Sequence, residues 1–238
     1  KASDERTRFF INTAHDIRTP LTLIKAPLEE IQQKENLSEE SQANMLTAMK
    51  NVDTLLRLTT NLINFSKANV YSSSLRISEH ELNTYMEGIC HAFYSYAEAK
   101  QIKLDYKSNF EYQNVWFDKE KMDSITKNLI SNAIKYTPAH GEVHIIICHD
   151  KDNWSLEITD TGIGIPAKEQ KKLFKLHFRG SNAINAKITG SGIGLMLVWK
   201  LVRIHKGKIS IESVENKGTR VKVIFPQKQF RNQQVPTE

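Results

Sequence analysis

Apolar residues recur at Phe10, Ala14, Ile17, Leu21, Ile24, Leu28 and Ile31, alternately four and three positions apart. That is a heptad seam, and it restricts this stretch to a long helix that buries one stripe against other helices. His15 lies one position past a seam residue, about 100° round the helix, so its imidazole is expected to face water. Thr19 and Thr22 follow at i+4 and i+7 on the same face, and Asp16 stands beside it. Pro20 interrupts the pattern and deprives the Asp16 carbonyl of its helical partner, which predicts a bend in a helix that must nonetheless continue. An exposed histidine flanked by a carboxylate and two hydroxyls serves no packing need.

The seam predicts one helix over residues 1–36. A short turn at Asn36-Leu37-Ser38 follows, with Ser38 as N-cap and Glu39 and Glu40 favourable in the next first turn. A second helix is expected to run to about Lys67, with apolar positions at Met45, Met49, Val52, Leu56 and Ile63. Two long helices joined by a tight turn make an antiparallel hairpin whose seam is half exposed. Pairing with a second copy into a four-helix bundle would cover it. Val70 to Ser74, VYSSS, is the expected boundary, dividing the chain into 1–70, 71–226 and a polar tail at 227–238.

Beyond that boundary the pattern becomes mixed. Short strands are expected at Leu75–Ile77, Ile102–Lys107 and Val115–Phe117, and helices at Glu79–Lys100 and Asp118–Tyr136, the latter capped by Asp118. Val143–His149 and Trp154–Thr159 read as a hairpin turning at Asp150–Asn153. A helix over Gly194–His205 and strands Lys208–Ser213 and Arg220–Phe225 close the domain. The expected architecture is therefore multidomain, an all-α helical hairpin followed by an α+β two-layer sandwich.

Three stretches of the second domain carry chemistry. Asn128, Asn132, Lys135 and Tyr136 share one helix face, offering carboxamides that suit a hydrated Mg²⁺ and a cation that suits phosphates. DTGIGIP, Asp160 to Pro166, ends a strand with a carboxylate able to accept from an exocyclic amine, and Gly162 and Gly164 let the backbone come close. TGSGIGL, Thr189 to Leu195, sets Gly190, Gly192 and Gly194 before a helix, so that backbone amides can hold an anion. No lysine and hydroxyl follow these glycines and their spacing is not GxGxxG, which argues against P-loop and Rossmann sites.

The run HDIRTPLT resembles the H-box of sensor histidine kinases. NLISNAIKYTP, DTGIGIP, LFKLHFRG and TGSGIGL resemble, in the family's order, the N, G1, F and G2 boxes of its ATP-binding domain. The resemblance covers roughly residues 5–226 and implies a dimerisation and phosphotransfer domain followed by a Bergerat-type ATPase fold. It implies that ATP phosphorylates His15, with Asp16 orienting the ring and taking its proton. Thr19 would be the position that serves dephosphorylation of the partner. It further implies Asn132 as the Mg²⁺ ligand assisted by Asn128, Lys135 and Tyr136 lining the nucleotide, and Asp160 reading adenine. Phe174 and Phe178 match the F-box aromatics, Arg179 reaches towards the phosphates, and Gly162, Gly164, Gly190, Gly192, Gly194 and Leu195 border an ATP lid. LFKLHFRG departs from the usual F-box by placing Leu176-His177 before its second aromatic. The implied partners are a second copy of the chain and the receiver domain of a response regulator, separate or in the same polypeptide as in hybrid sensors.

The remaining composition fits this reading. Net charge is +6, but Lys and Arg are scattered among acids, so no nucleic-acid partner is expected. Cys90 and Cys148 form no framework, which suits a reducing compartment. The eight histidines show no zinc-ligand spacing, so no structural zinc is expected. No apolar run approaches the roughly 20 residues that cross a bilayer, yet the first helix starts mid-pattern, as expected for the cytoplasmic portion of a membrane-anchored sensor. A hydrolytic ATPase of the same fold would want a glutamate where Asn128 stands. A non-catalytic scaffold would have no use for complete glycine loops.

Overall fold

The computed structural model describes residues 17–31, 38–70, 75–174, 180–186, 188, 192 and 194–227. The chain divides into two compact units, Lys1–Ser73 and Ser74–Glu238.

In the first unit, α1 is helical over residues 17–31 and runs unbroken through Pro20, as the continuing seam requires. Helix α2 spans Glu39–Val70, three residues past the expected end, with Glu39 and Glu40 in its first turn. Ser38 caps it, its Oγ accepting the Ser41 amide at 3.3 Å. Lys25 of α1 pairs with Asp53 of α2 at 2.8 Å. These two residues stand equally far from position 39, as helices folded back on each other demand. Leu21 and Val52 are buried between them, and Thr59, also buried, donates its hydroxyl to the Leu55 and Leu56 carbonyls. Ile17, Ile24, Leu46 and Leu55 remain exposed.

In the second unit, the elements are β1 (Ser78–Glu81), α3 (Leu82–Ala99), β2 (Lys103–Ser108), β3 (Asn114–Phe117), α4 (Lys119–Tyr136), β4 (Glu142–His149) and β5 (Asn153–Asp160). They continue with α5 (Ala167–Gln170), α6 (Ser181–Asn185), α7 (Gly194–Ile204), β6 (Lys208–Val214) and β7 (Gly218–Pro226). Five strands form a mixed sheet ordered β2-β4-β5-β7-β6, in which only the β2–β4 pair is parallel, and β1 pairs with β3 in a separate antiparallel ribbon. Strict alternation puts Val143, Ile145 and Ile147 of β4 and Trp154, Leu156 and Ile158 of β5 on the inner face. Helix α4 covers that face with Met122, Ile125, Leu129, Ile130, Ala133 and Ile134, and α7 adds Met196, Leu197, Val198, Leu201 and Val202. Each such large side chain contributes roughly 1.5–3 kcal/mol of transfer free energy. The result is the expected two-layer α+β sandwich, with the second face of α4 left free for polar residues.

Local expectations needed correction at three places. Leu75–Ile77 is not a strand; the strand is Ser78–Glu81, because the Arg76 amide donates to the Asp118 carboxylate at 3.0 Å rather than to a strand neighbour. Helix α3 starts at Leu82 and not at Glu79, because the Glu81 carboxylate accepts the Asn83 and Thr84 amides at 3.1 and 2.6 Å as its N-cap. Two short helices, α5 and α6, occupy what the sequence reads as loop.

Candidate nucleotide site

Asp118 caps α4 by accepting the Lys121 amide at 3.1 Å, which sets the helix phase. Because one face of α4 is committed to the core, Asn128, Asn132, Lys135 and Tyr136 emerge half-buried on the other. The Asn128 Nδ2 donates to the Ser124 carbonyl at 2.7 Å, which leaves Oδ1 turned towards α7. There it meets the first residue of α7. A Cβ built on Gly194 would lie 2.8 Å from Asn128 Oδ1 and 4.0 Å from Asn132 Nδ2. The N-terminus of α7, with its positive dipole end, is thus brought against both carboxamides. Leu195 is half-buried in the first turn of α7, and Gly192 three residues before it has φ 69°, a left-handed conformation that favours glycine.

The glycine loop after β5 is built against the C-terminal end of α4. The Ile163 amide donates to the Tyr136 carbonyl at 3.1 Å, and a Cβ on Gly162 would sit 2.5 Å from that oxygen. Gly164, at φ 61°, passes so close to Val214 that a Cβ would lie 2.0 Å from its carbonyl oxygen. Asp160 is buried, and its Oδ1 accepts the Gly162 amide at 2.9 Å and the Thr219 amide at 3.2 Å. Burial pushes its carboxyl up to about 6, against the pull of those two amides. Lys135 lies 4.7 Å from the centre of the Tyr136 ring and 3.3 Å from its hydroxyl, so the two side chains form one unit at the edge of the site.

Other expected residues fall elsewhere. Thr19 is exposed on α1, as is Thr22, whose hydroxyl donates to the Arg18 carbonyl at 3.0 Å. Phe174 lies 6.4 Å from the Trp199 ring of α7. His15, Asp16, Phe178, Arg179 and Gly190 lie outside the described residues. Several contributors carry no sequence signal. The Thr219 amide reaches Asp160 only because β7 pairs with β5, and Gly218 is required there because a Cβ would lie 1.9 Å from the Asp160 carbonyl.

A divalent ion would find neutral oxygen donors at Asn128 and Asn132. Among the described residues no cluster of three histidine, cysteine or acidic side chains could hold a metal alone. That donor set fits Mg²⁺, which binds weakly to few protein oxygens and takes the rest from water and phosphate.

Comparison with known proteins identifies two family domains in the chain. Residues 5–69 match the His Kinase A (phospho-acceptor) domain, and residues 117–229 match the histidine kinase-, DNA gyrase B-, and HSP90-like ATPase family. Histidine kinase P4 of Formosa agariphila is 30% identical over 93% of this chain and 16% of its own length. Full-length ShkA in complex with AMPPNP superposes with a TM-score of 0.76 at 18% identity, over 92% of this chain and 46% of ShkA. Histidine kinase ThkA in complex with the response regulator protein TrrA superposes with a TM-score of 0.59 at 22% identity, over 91% of this chain and 60% of that one. The chain spans between 15% and 54% of the length of the curated relatives it matches. With a phospho-acceptor domain ahead of an ATPase-family domain, the chain belongs to the sensor histidine kinase family.

Proposed function

We propose that this chain binds Mg-ATP between α4, the Asp160–Gly164 loop and the start of α7, phosphorylates its own His15, and passes the phosphoryl group to a receiver aspartate. The observation that carries the reading is the juxtaposition of the Asn128 and Asn132 carboxamides with Gly194 at the head of α7. An anion at a helix N-terminus and oxygen ligands for its counter-ion are what a polyphosphate needs.

In this reading Asp160 accepts the exocyclic amine of adenine through the oxygen its backbone amides leave over, and Gly162 and Gly164, packed against the Tyr136 and Val214 carbonyls, shape the loop beside the base. Lys135 and Arg179 offset phosphate charge, Tyr136 lines the nucleotide, and Gly190, Gly192, Gly194 and Leu195 border the phosphates. Asn132, assisted by Asn128, would hold Mg²⁺, which supplies charge neutralisation when bound. A neutral His15 ring nitrogen forms its bond to the γ-phosphorus as the bond to the ADP oxygen breaks. The ring proton passes to Asp16, which also fixes the ring's orientation. Asn128 in place of a glutamate leaves no base there to activate water, which favours delivery to histidine over hydrolysis.

Two copies pair through the hairpin, covering Ile17, Ile24, Leu46 and Leu55. A receiver domain then takes the phosphoryl group, and Thr19, exposed on α1, serves dephosphorylation of that receiver by water. The chain is read as the cytoplasmic portion of a membrane-anchored sensor; among the described residues no helix is long and apolar enough to cross a membrane.

Incubation with γ-labelled ATP and Mg²⁺ tests the reading. An acid-labile, alkali-stable label that disappears in His15→Gln is the expected result. Label that survives His15→Gln overturns the assignment of the acceptor, and nucleotide binding unchanged in Asn132→Ala overturns that of the site.

A further inference from the structure

Three successive carbonyls of the glycine loop are held by two side-chain carboxamides. Asn182 of α6 donates its Nδ2 to the Ile163 carbonyl at 3.3 Å and to the Gly164 carbonyl at 2.9 Å. Gln170 of α5 donates its Nε2 to the Ile165 carbonyl at 3.1 Å and to the Ser213 carbonyl of β6 at 2.7 Å. A primary amide has two N–H donors, and each of these side chains uses both on backbone oxygens. Such an arrangement positions backbone. A loop with glycines at 162 and 164, one of them at positive φ, loses more conformational freedom than other chain when ordered. Its geometry therefore has to be imposed from outside.

The two helices that impose it are themselves linked. Glu169, next to Gln170, accepts the Ser181 amide at 2.9 Å, next to Asn182. The opposite side of the same loop carries the Gly162 amide that bonds Asp160 Oδ1, and the Ile163 amide bound to Tyr136. A shift of the 163–165 carbonyls must therefore move the Gly162 amide, and with it the carboxylate orientation at Asp160.

We propose that Asn182 and Gln170 are positioning residues for nucleobase selection: by clamping the carbonyls of residues 163–165 they hold Asp160 and Gly162 in the geometry that distinguishes adenine from a base lacking its exocyclic amine. This rests on the reading of Asp160 as the adenine partner, and it adds the residues that make that reading selective.

The test is calorimetric binding of ADP and of inosine diphosphate, which carries an oxygen where adenine has its amine. Wild type, Asn182→Ala, Gln170→Ala and the near-isosteric Asn182→Asp are compared. Wild type is expected to prefer ADP; equal binding of both diphosphates, or of neither, sinks the adenine reading itself. With that preference in place, either alanine variant is expected to weaken ADP binding roughly 3- to 30-fold, the cost of one or two neutral hydrogen bonds, and inosine diphosphate binding much less. Asn182→Asp, which faces two carbonyl oxygens with a carboxylate, is expected to narrow the preference further. A preference for ADP unchanged in all three variants overturns the proposal. So does loss of the cooperative melting transition in all three, which would make these residues determinants of folding rather than of selection.

Discussion

His205 Nε2 accepts the Asp118 backbone amide at 3.3 Å, joining the C-terminal end of α7 to the N-cap of α4, while Nδ1 donates to the Leu201 carbonyl at 2.8 Å. The imidazole is buried against Phe225, and desolvation lowers its pKa below the ordinary value, with Lys121 adding to the effect and the Leu201 bond and Asp118 opposing it. A protonated ring could not accept the Asp118 amide. The unfolded chain therefore binds a proton that the folded unit does not. The stabilisation is present above the unfolded pKa of about 6.5 and is lost as pH falls through the lower folded value. His205 should by itself lower the melting temperature of this unit between pH 7 and pH 5, a decline read as the difference between wild type and a His205 variant. His205→Ala should cost about 2–4 kcal/mol at pH 7, through a cavity and an orphaned amide, and flatten that decline.

Asp160 titrates with the opposite sign. Its folded pKa, raised to about 6, lies above the unfolded value, so its neutral form is favoured by folding and its ionised form is a cost at neutral pH. Asp160→Asn keeps an oxygen for the Gly162 and Thr219 amides and removes the buried charge. It should raise stability at pH 7.5 by up to about 3 kcal/mol, the equivalent of a shift of roughly two pH units. The same substitution replaces an acceptor with a donor towards an incoming amine, so ADP binding should be lost. In wild type, ADP affinity should weaken as pH falls below about 6, where the carboxyl takes up its proton. Calorimetric binding at pH 7.5 and 5.5, together with melting curves for both proteins, checks all three outcomes.

Gly194→Ala tests how closely α7 must approach α4. The added methyl would fall 2.8 Å from Asn128 Oδ1, and Asn128 is tethered by its bond to Ser124, so it cannot simply swing aside. In the proposed reading adenine meets Asp160, whereas the phosphates lie beside Gly194. Affinity for ADP should fall about tenfold, whereas adenosine should bind as it does to wild type. Equal losses for both ligands would place the phosphates elsewhere.

Much of this could be read from residue order because it depends on local chemistry. The Asp118 and Ser38 caps, the α4 face bearing Asn128 and Asn132, and the β4–β5 hairpin all follow from spacings of a few residues. What stayed hidden depends on distant pairing. Arg76 spends its amide on Asp118, forty-two positions on, and the expected strand there dissolves. Thr219 reaches Asp160 across fifty-nine positions through the β5–β7 register, and no period in the sequence encodes that register. Asn182 and Gln170 sit in a polar stretch where a carboxamide that clamps a backbone looks like one that faces water. The parallel β2–β4 pair was equally illegible, since the alternation within each strand is the same for either direction.

The seam itself separates two roles that its spacing alone merges. Leu21 is 8% exposed, packed within the hairpin, whereas Ile24, the next seam position, is 50% exposed and Leu55 of α2 is 45% exposed. Glutamate at Leu21 would bury a charge inside one chain and should unfold the hairpin, so lost dimers in that variant would say little about the interface. Glutamate at Ile24 leaves the hairpin's own packing intact and places a charge only where a second copy would cover it. Sedimentation of Ile24→Glu should therefore show monomers of unchanged helix content, and Ile24→Glu with Leu55→Glu should show them at still higher concentration. Dimers that persist in both variants would mean that the exposed seam faces something other than a second copy of this chain.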